Sequence, residues 1–583
     1  MANKSTAPKP WDFLDEYRGK VFTGEWPTVS QMFDISVTRY PDNKCFTAFV
    51  PKHESFTYSE VQAYVKGLAN YMLSKGVKSG DKIAVTGKNS PEWAIAYLAI
   101  LEAGATVVPL DNTLNNKDMS KLMSFADVKY MFADLDRLED FDKEGTLGIS
   151  GRISLEPTED FTFILDAQEK AEQKRTASKS SDTAAILFTS GTTGTPKGVM
   201  LSHSNLVADS YLSQANMDVF STDVFYAILP IHHAYTMMAV FIEAISTGAS
   251  IVFGKKLVIS QVLKELREGE VTMFLAVPML FNKMIAGLMS GVREKGIIVY
   301  GLIRGMMKFS GFVKKVFKVN IGKKMFGFLL KKLSLENNRI CISGGGPLPA
   351  STFKMFNELG IDFVQGYGLT ETSPITHLNP TDAYIETSVG KVVANTQVKI
   401  VDPDANGNGI IHIKGPMVMQ GYYNNPEATA EVLQDGWLNT GDVGYQDKNG
   451  YLYLTGRARN IIVTDGGKNV FPEEIEDHFQ LFDEIEAICV CGYITDKKTQ
   501  SEGIRAIIHP SEKFSDAMEK EHGKDGAKPA IEKRINAIVA EVNKELQAYK
   551  KITRVTVVDE PLEMTSTKKV KRFIVEEKYR DTK

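Results

Sequence analysis

Leu187-Phe-Thr-Ser-Gly-Thr-Thr-Gly-Thr-Pro-Lys-Gly-Val199 is the stretch from which the fold can be read. It follows Ala184 to Phe188, a short apolar run that reads as a buried strand, so it is a hydroxyl- and glycine-rich loop hung on a sheet. Its chemistry suits phosphate. Gly191, Gly194 and Gly198 let backbone amides converge on an anion, Thr189, Ser190, Thr192 and Thr193 add hydroxyl donors, and Lys197 brings positive charge. It is not a Walker A loop, because Lys197 follows Pro196 and precedes Gly198 instead of closing a Gly-Lys-Ser/Thr triplet.

The chain on either side repeats one grammar. Val61, Tyr64, Val65, Leu68 and Met72 keep helical spacing behind a Thr57 to Glu60 capping box, and Gly76 stands where that helix would stop. Lys82 to Thr86 then reads as a strand, Ser90-Pro91 as the start of a helix through Leu101, and Thr106 to Leu110 as a strand again. Strand, helix, strand implies a parallel sheet, and the pattern recurs at Phe225 to Leu229 and Thr272 to Val277.

Two further segments carry chemistry. Gln365-Gly-Tyr-Gly-Leu-Thr-Glu371, preceded by Ser343-Gly-Gly-Gly-Pro347, can bring backbone close to a flat ligand, and Glu371 offers magnesium a hard oxygen. In Asp435-Gly-Trp-Leu-Asn-Thr-Gly-Asp-Val443, Asp442 reads either as a turn residue or as a carboxylate accepting both hydroxyls of a ribose. This strand-rich region ends near Gly456, and helical sequence resumes at Pro472, which places a boundary there.

In this order and spacing, the three segments resemble the adenylate-forming superfamily of acyl-CoA synthetases, peptide-synthetase adenylation domains and luciferases. Tyr367-Gly-Leu-Thr-Glu-Thr-Ser-Pro374, Gly456-Arg-Ala-Arg459 and Gly466-Gly-Lys-Asn-Val470 look most like long-chain acyl-CoA synthetases. The resemblance spans about Val29 to Phe573 and implies an α/β fold. Residues 1–455 would form a large N-terminal domain of three subdomains, α/β sheets plus a small β-barrel, and residues 457–583 a smaller, mobile α+β lid, hinged near 456.

Site roles follow from the same resemblance. Thr189 to Lys197 would hold the triphosphate, with Thr189 and Glu371 at Mg2+. Gly344, Gln365, Gly366, Tyr367 and Thr370 would surround adenine and the α-phosphate, and Asp442 and Arg457 would hold the ribose and position the lid. His233 matches a histidine beside the acyl and nucleotide site, while His232 reads equally as structural. The catalytic lysine falls in Met564-Thr-Ser-Thr-Lys-Lys-Val-Lys-Arg572, where spacing selects Lys569 with Lys568 as the alternative register. The implied activity is ATP-dependent ligation of a long-chain fatty acid to coenzyme A, or to an acyl carrier protein. Carboxylate attack on the α-phosphate brings two anions together, so Mg2+, Lys197 and Lys569 would carry the developing charge.

Composition bounds the rest. Sixty-eight basic against 72 acidic residues leave a net charge of −4, so nothing global asks for nucleic acid. Cys45, Cys341, Cys489 and Cys491 are too sparse for a disulfide framework, and the polar N-terminus lacks an apolar leader, so a cytoplasmic location is expected. The most apolar stretches are broken by Glu102 and by Pro278, Asn282 and Lys283, so no membrane-spanning helix is expected. One segment departs from the average: between Gly291 and Lys332 there are eleven basic residues and one acid, Glu294. Phe309, Phe312, Val313, Val316 and Phe317 share one helical face with Lys314, Lys315 and Lys318 opposite. That pattern fits an interfacial helix on an anionic membrane, or a helix with its apolar face on the core and its lysines in water.

Overall fold

The computed structural model describes residues 9–144, 148–189, 196–464, 468–496, 501–565 and 569–580. The local signals act as read. Thr57 accepts the Glu60 amide while Glu60 reaches back to the Thr57 amide, starting the helix Tyr58–Ser74, and Gly76 follows its end at φ +94°. Ser90 accepts the Trp93 amide, with Pro91 at the first position of Pro91–Glu102. That helix is buried almost all round, with Trp93 and Tyr97 stacked inside the largest core.

Lys82–Thr86 and Thr106–Leu110 pair in parallel, as the intervening helix requires. They lie at the centre of an eight-stranded sheet in which Thr183–Thr189 and Lys197–Ser202 form an antiparallel hairpin, edged by Gly421–Tyr422. The candidate phosphate segment connects these two strands in sequence, and its residues 190–195 lie outside the described residues.

A second, fourteen-stranded sheet changes character partway across. Val224–Ala227, Met273–Ala276, Ile340–Ser343 and Asp362–Gly368 run parallel, the first two near the predicted positions. The last of these then pairs antiparallel with Ile375–Leu378 on its other side, and the antiparallel ladder continues through Gly390–Val392, Tyr451–Arg457, Trp437–Gln446, Gly409–Lys414 and Gln397–Val401. The strands expected as a small barrel are therefore joined by hydrogen bonds to the parallel sheet. The seam needs glycine, because a Cβ on Gly368 would lie 1.6 Å from the Pro374 carbonyl oxygen. Asp442, which its glycine neighbour marked as a turn residue, sits inside the strand Trp437–Gln446.

Beyond Arg457 the chain builds a smaller α+β unit. Pro472 starts a short helix, Ile485–Asp496 and Ser501–Pro510 pair antiparallel, and Arg554–Val557 adds in parallel. Ile475, Phe479, Val490, Ile508 and Ile538 share their own core. Gly456 lies in a paired strand opposite Val443, and a Cβ on it would approach the Phe471 and Glu473 side chains to 2.8 Å. All four cysteines are unbonded and buried, and among the described residues no helix is long and apolar enough to cross a membrane.

The helix Ile297–Phe317 corrects one expectation. Of the three lysines expected outside, Lys315 and Lys318 are exposed but Lys314 is buried: its ammonium donates to Asn357 Oδ1 at 2.8 Å and the Ile361 carbonyl at 2.9 Å, and pairs with Asp362 Oδ1 at 2.7 Å. Phe309, Phe312, Val316 and Phe317 are instead more than half exposed, so a core-facing apolar stripe is excluded. Periodicity separates two faces of a helix without saying which turns inward. Here Glu358, which pairs with Arg304 at 3.1 Å, and Asp362 draw Arg304 and Lys314 onto the protein, while Lys308, Lys315 and Lys318 stay exposed. Burial pushes the Lys314 pKa down and Asp362 opposes it. Lys314→Ala should therefore lower unfolding free energy by about 3 kcal/mol, leaving Asp362 and Asn357 without their donor. Lys315→Ala, which removes only an exposed pair with Glu386, should cost under about 1 kcal/mol, both values being read from urea titrations of the variants beside the parent.

Candidate active site

Thr189 and Lys197 are register partners at the mouth of the hairpin, the Thr189 hydroxyl reaching the Lys197 carbonyl at 3.5 Å. Ser190, Gly191, Thr192, Thr193 and Gly194 lie outside the described residues. The Lys197 ammonium stands 4.8 Å over the Tyr422 ring, and the Tyr422 hydroxyl donates to Glu371 Oε1 at 2.9 Å. Burial and the Glu371 charge raise the Tyr422 pKa, so the phenol stays a neutral donor. Tyr422 reaches this position because Gly421–Tyr422 pairs against Lys197–Ser202, and Glu371 because Thr370–Thr372 makes a single helical turn after the Asp362–Gly368 strand. The sequence reading missed Tyr422. Its signal was an aromatic residue after a glycine, just before the Asn425-Pro426 helix start.

A second cluster is centred on Asp442, which is buried. Tyr367 donates its hydroxyl to Oδ2 at 2.7 Å, and Arg457 Nε lies 2.9 Å from Oδ1. Asp442 and Arg457 face each other as register partners, so the strand pairing itself makes the ion pair. Burial first, then Asp442, raises the Tyr367 pKa and keeps that phenol protonated as well. Both carboxylate oxygens are thus engaged, yet each still has a lone pair to offer a sugar hydroxyl.

Lys569 joins this cluster from the far end of the chain. Met564 and Val570 form an antiparallel bridge, Thr565 donates its amide to the Lys569 carbonyl at 2.7 Å, and the Lys569 amide donates to Thr565 Oγ1 at 3.1 Å. Arg572 anchors the hairpin with two 2.9 Å bonds to the Glu476 carboxylate and a bond to the Val490 carbonyl. By surface area Lys569 is exposed, but protein is crowded around it. That desolvation, with the Arg457 charge adding to it and Asp442 opposing it, brings its pKa down to about 8. Lys568 lies outside the described residues.

The third wall carries the histidines. Their rings are 4.4 Å apart, with His232 Nε2 3.6 Å from Asp111 Oδ2. His232 is buried in the wall, whereas His233 is half-buried. Burial pushes the His233 pKa down to about 3, His232 and Lys569 adding to the shift and Asp111 opposing it, so its imidazole is neutral near pH 7. Gly344 rests on Tyr235, whose ring would lie 2.8 Å from a Cβ there and whose hydroxyl donates to the Ile342 carbonyl at 3.1 Å. Ser343 and Gln365 are register partners, which puts Gly344 beside Gln365, Gly366 and Tyr367 at the ends of adjacent strands, with Thr370 at the turn that follows. Asp111 and Tyr235 were not legible beforehand, because their neighbours here are far away in sequence.

The donor set suits the groups that the resemblance implied. Thr189 and Glu371 offer hard oxygens of the kind Mg2+ takes, and Lys197, Arg457 and Lys569 supply positive charge for a polyphosphate.

Comparison with known proteins identifies the family. The profile of the AMP-binding enzyme family matches residues 33–423, and that of the AMP-binding enzyme C-terminal domain matches residues 459–582. The chain is 28% identical to a long-chain-fatty-acid–CoA ligase of Bacillus subtilis over 83% of its own length and 86% of the relative's. It is 26% identical to the chloroplastic long-chain-fatty-acid–[acyl-carrier-protein] ligase AEE15 of Arabidopsis thaliana, over 96% of this chain and 86% of that one. Its fold matches ATP-bound MatB from Rhodopseudomonas palustris with a TM-score of 0.73 at 24% identity, covering 95% of this chain and 99% of the other. The chain belongs to the AMP-binding enzyme family of adenylate-forming acyl ligases.

Proposed function

We propose that this protein is an ATP-dependent long-chain fatty acid:CoA ligase of the cytoplasm. The observation that carries the reading is Lys569, which its bonds to Thr565 hold within electrostatic reach of the Asp442–Arg457 ion pair and of neutral His233. In the first half-reaction a carboxylate oxygen of the fatty acid attacks the α-phosphorus of ATP, a new O–P bond forms, and pyrophosphate leaves with the electrons of the broken one. Lys569 balances the negative charge gathering on the α-phosphate while Lys197 holds the departing phosphates. Mg2+, held by Glu371 and Thr189, would neutralise phosphate charge. Asp442 accepts the ribose hydroxyls, and Tyr367 and Arg457 fix its carboxylate in place. Neutral His233 adds a polar contact beside the acyl group without a charge that would trap the free carboxylate.

In the second half-reaction the coenzyme A thiolate attacks the acyl carbonyl, the thioester forms, and AMP leaves. The two steps need different groups around one carbonyl, so a lid turning near Gly456 and Arg457 is part of the proposal. Delivery to a carrier protein is the second reading, favoured by the Arabidopsis relative that aligns along 96% of the chain. Pyrophosphate release with fatty acids of graded length, followed by product analysis with coenzyme A and with holo-acyl carrier protein, tests both. Long-chain acyl-CoA is the expected product. Turnover only with carrier protein would reverse the assignment of acceptor, and no pyrophosphate release with any fatty acid would overturn the ligase reading.

Lys569→Ala should slow acyl-AMP formation by about a hundredfold or more while leaving thioester formation from supplied acyl-AMP near the parent rate. Equal loss in both half-reactions would remove Lys569 from the adenylating role, and a parent-like Lys569→Ala beside an inactive Lys568→Ala would shift the register. The pH dependence gives an independent check. The ammonium is the active form, so kcat/KM for adenylation should fall as pH rises through about 8, and Lys569→Arg should move that fall upward. His233 titrates near 3 and should contribute no limb between pH 5 and 7.

A further inference from the structure

The apolar stripe of the Ile297–Phe317 helix is an exposed face with a charge pattern of its own. Ile298 is 84% exposed, Leu302 63%, Phe309 58%, Phe312 58% and Val316 54%, and Phe328 on the following segment is 56% exposed. The helix positions differ by 4, 7, 3 and 4 residues, which lines them along one side, and Gly305 fills the gap between Leu302 and Phe309 without a polar group. A helix of 21 residues is about 30 Å long. An apolar strip of that length on a folded surface marks an interaction site.

The helix cannot hide this strip by turning over. Arg304 is paired with buried Glu358, Lys314 is bonded inside to Asn357, Ile361 and Asp362, and Met307 is buried on the same inward side. Rotation would strip a buried ammonium and a buried carboxylate of their partners.

Charge identifies the occupant. Residues 291–332 carry eleven basic residues and one acid, a net +10, which leaves −14 for the rest of a chain whose total is −4. Lys295, Lys308, Lys324, Lys331 and Lys332 are exposed. A second copy of this face would set its lysines against their own kind, whereas an anionic bilayer accepts both features: phosphates take the lysines and acyl chains take the aromatic strip.

We propose that this surface docks on anionic lipid bilayers, the Ile297–Phe317 helix lying flat in the headgroup region with Leu302, Phe309, Phe312 and Val316 turned toward the acyl chains. The contact is peripheral, since Arg304, Lys308, Lys314 and Lys315 interrupt the helix too often for it to span. It rests on the surface alone and is independent of which acid the active site takes.

The test is co-sedimentation of the full-length protein with phosphatidylglycerol/phosphatidylcholine vesicles and with phosphatidylcholine vesicles, at low and high salt. One variant carries Phe309→Ser and Phe312→Ser; the other carries Lys324→Gln, Lys331→Gln and Lys332→Gln. All five side chains are exposed, so melting temperature and pyrophosphate release without lipid should stay at parent values. The parent should pellet with anionic vesicles and much less with zwitterionic ones. The aromatic variant should lose at least tenfold in partitioning, and the lysine variant about a hundredfold at low salt, roughly fivefold per lysine. The proposal is overturned if the parent stays in the supernatant with anionic vesicles, or if both variants pellet as it does. It is also overturned if ultracentrifugation finds a dimer that the aromatic variant abolishes while vesicles bind neither protein.

Discussion

Asp442 holds one oxygen against the Tyr367 hydroxyl and the other against Arg457 Nε, and the rest of the site is arranged around this buried carboxylate. An anion in a protein interior is tolerated only where donors and opposite charge surround it, so the position of Asp442 obliges three segments to meet. Tyr367 comes from the strand at the sheet seam, Arg457 closes the adjacent antiparallel strand, and Lys569 arrives on a hairpin more than a hundred residues further on. The same charge that stabilises Arg457 partly restores the affinity of Lys569 for its proton.

The seam explains why such a carboxylate can exist here. Asp362–Gly368 belongs to a parallel sheet at its start and an antiparallel ladder at its end, so neighbouring strands diverge around Gly366 to Gly368. Ligand crevices form where strand connections part company in this way. The parallel strands bring Gly344 and Gln365 to the crevice, the antiparallel ones bring Asp442 and Arg457, and the hairpin of the other sheet brings Thr189 and Lys197. Tyr422 links the two sheets, stacking under Lys197 while donating to Glu371.

The Ile297–Phe317 helix shows charge overruling hydrophobic pattern. Ordinary amphipathic helices bury their apolar stripe because water pays no penalty for solvating lysine. Here two acids, Glu358 and Asp362, lie on the protein side and hold Arg304 and Lys314 inward, leaving aromatic residues in solvent. The Lys314 ammonium, bonded to Asn357, Ile361 and Asp362, is hard to strip of its partners, which fixes the orientation that the stripe alone would reverse.

The sequence by itself determined what depends on nearby residues. Thr57, Ser90 and Pro91 set helix starts through bonds spanning three residues, and the short apolar runs between them dictated parallel strands. The glycine-rich segments singled out Lys197, Glu371 and Asp442 as candidates, because loops that approach phosphate tolerate few residue types, and the family resemblance they carry added Lys569, with Lys568 as the other register. Tertiary structure alone decided which residues complete the site. Tyr422, Asp111, Tyr235 and Glu476 each gain their place through a contact across 51 to 121 positions with a partner on another element. Which face of Ile297–Phe317 turns inward was decided in the same way, because a helical wheel carries no information about the acids that wait on a different helix and strand.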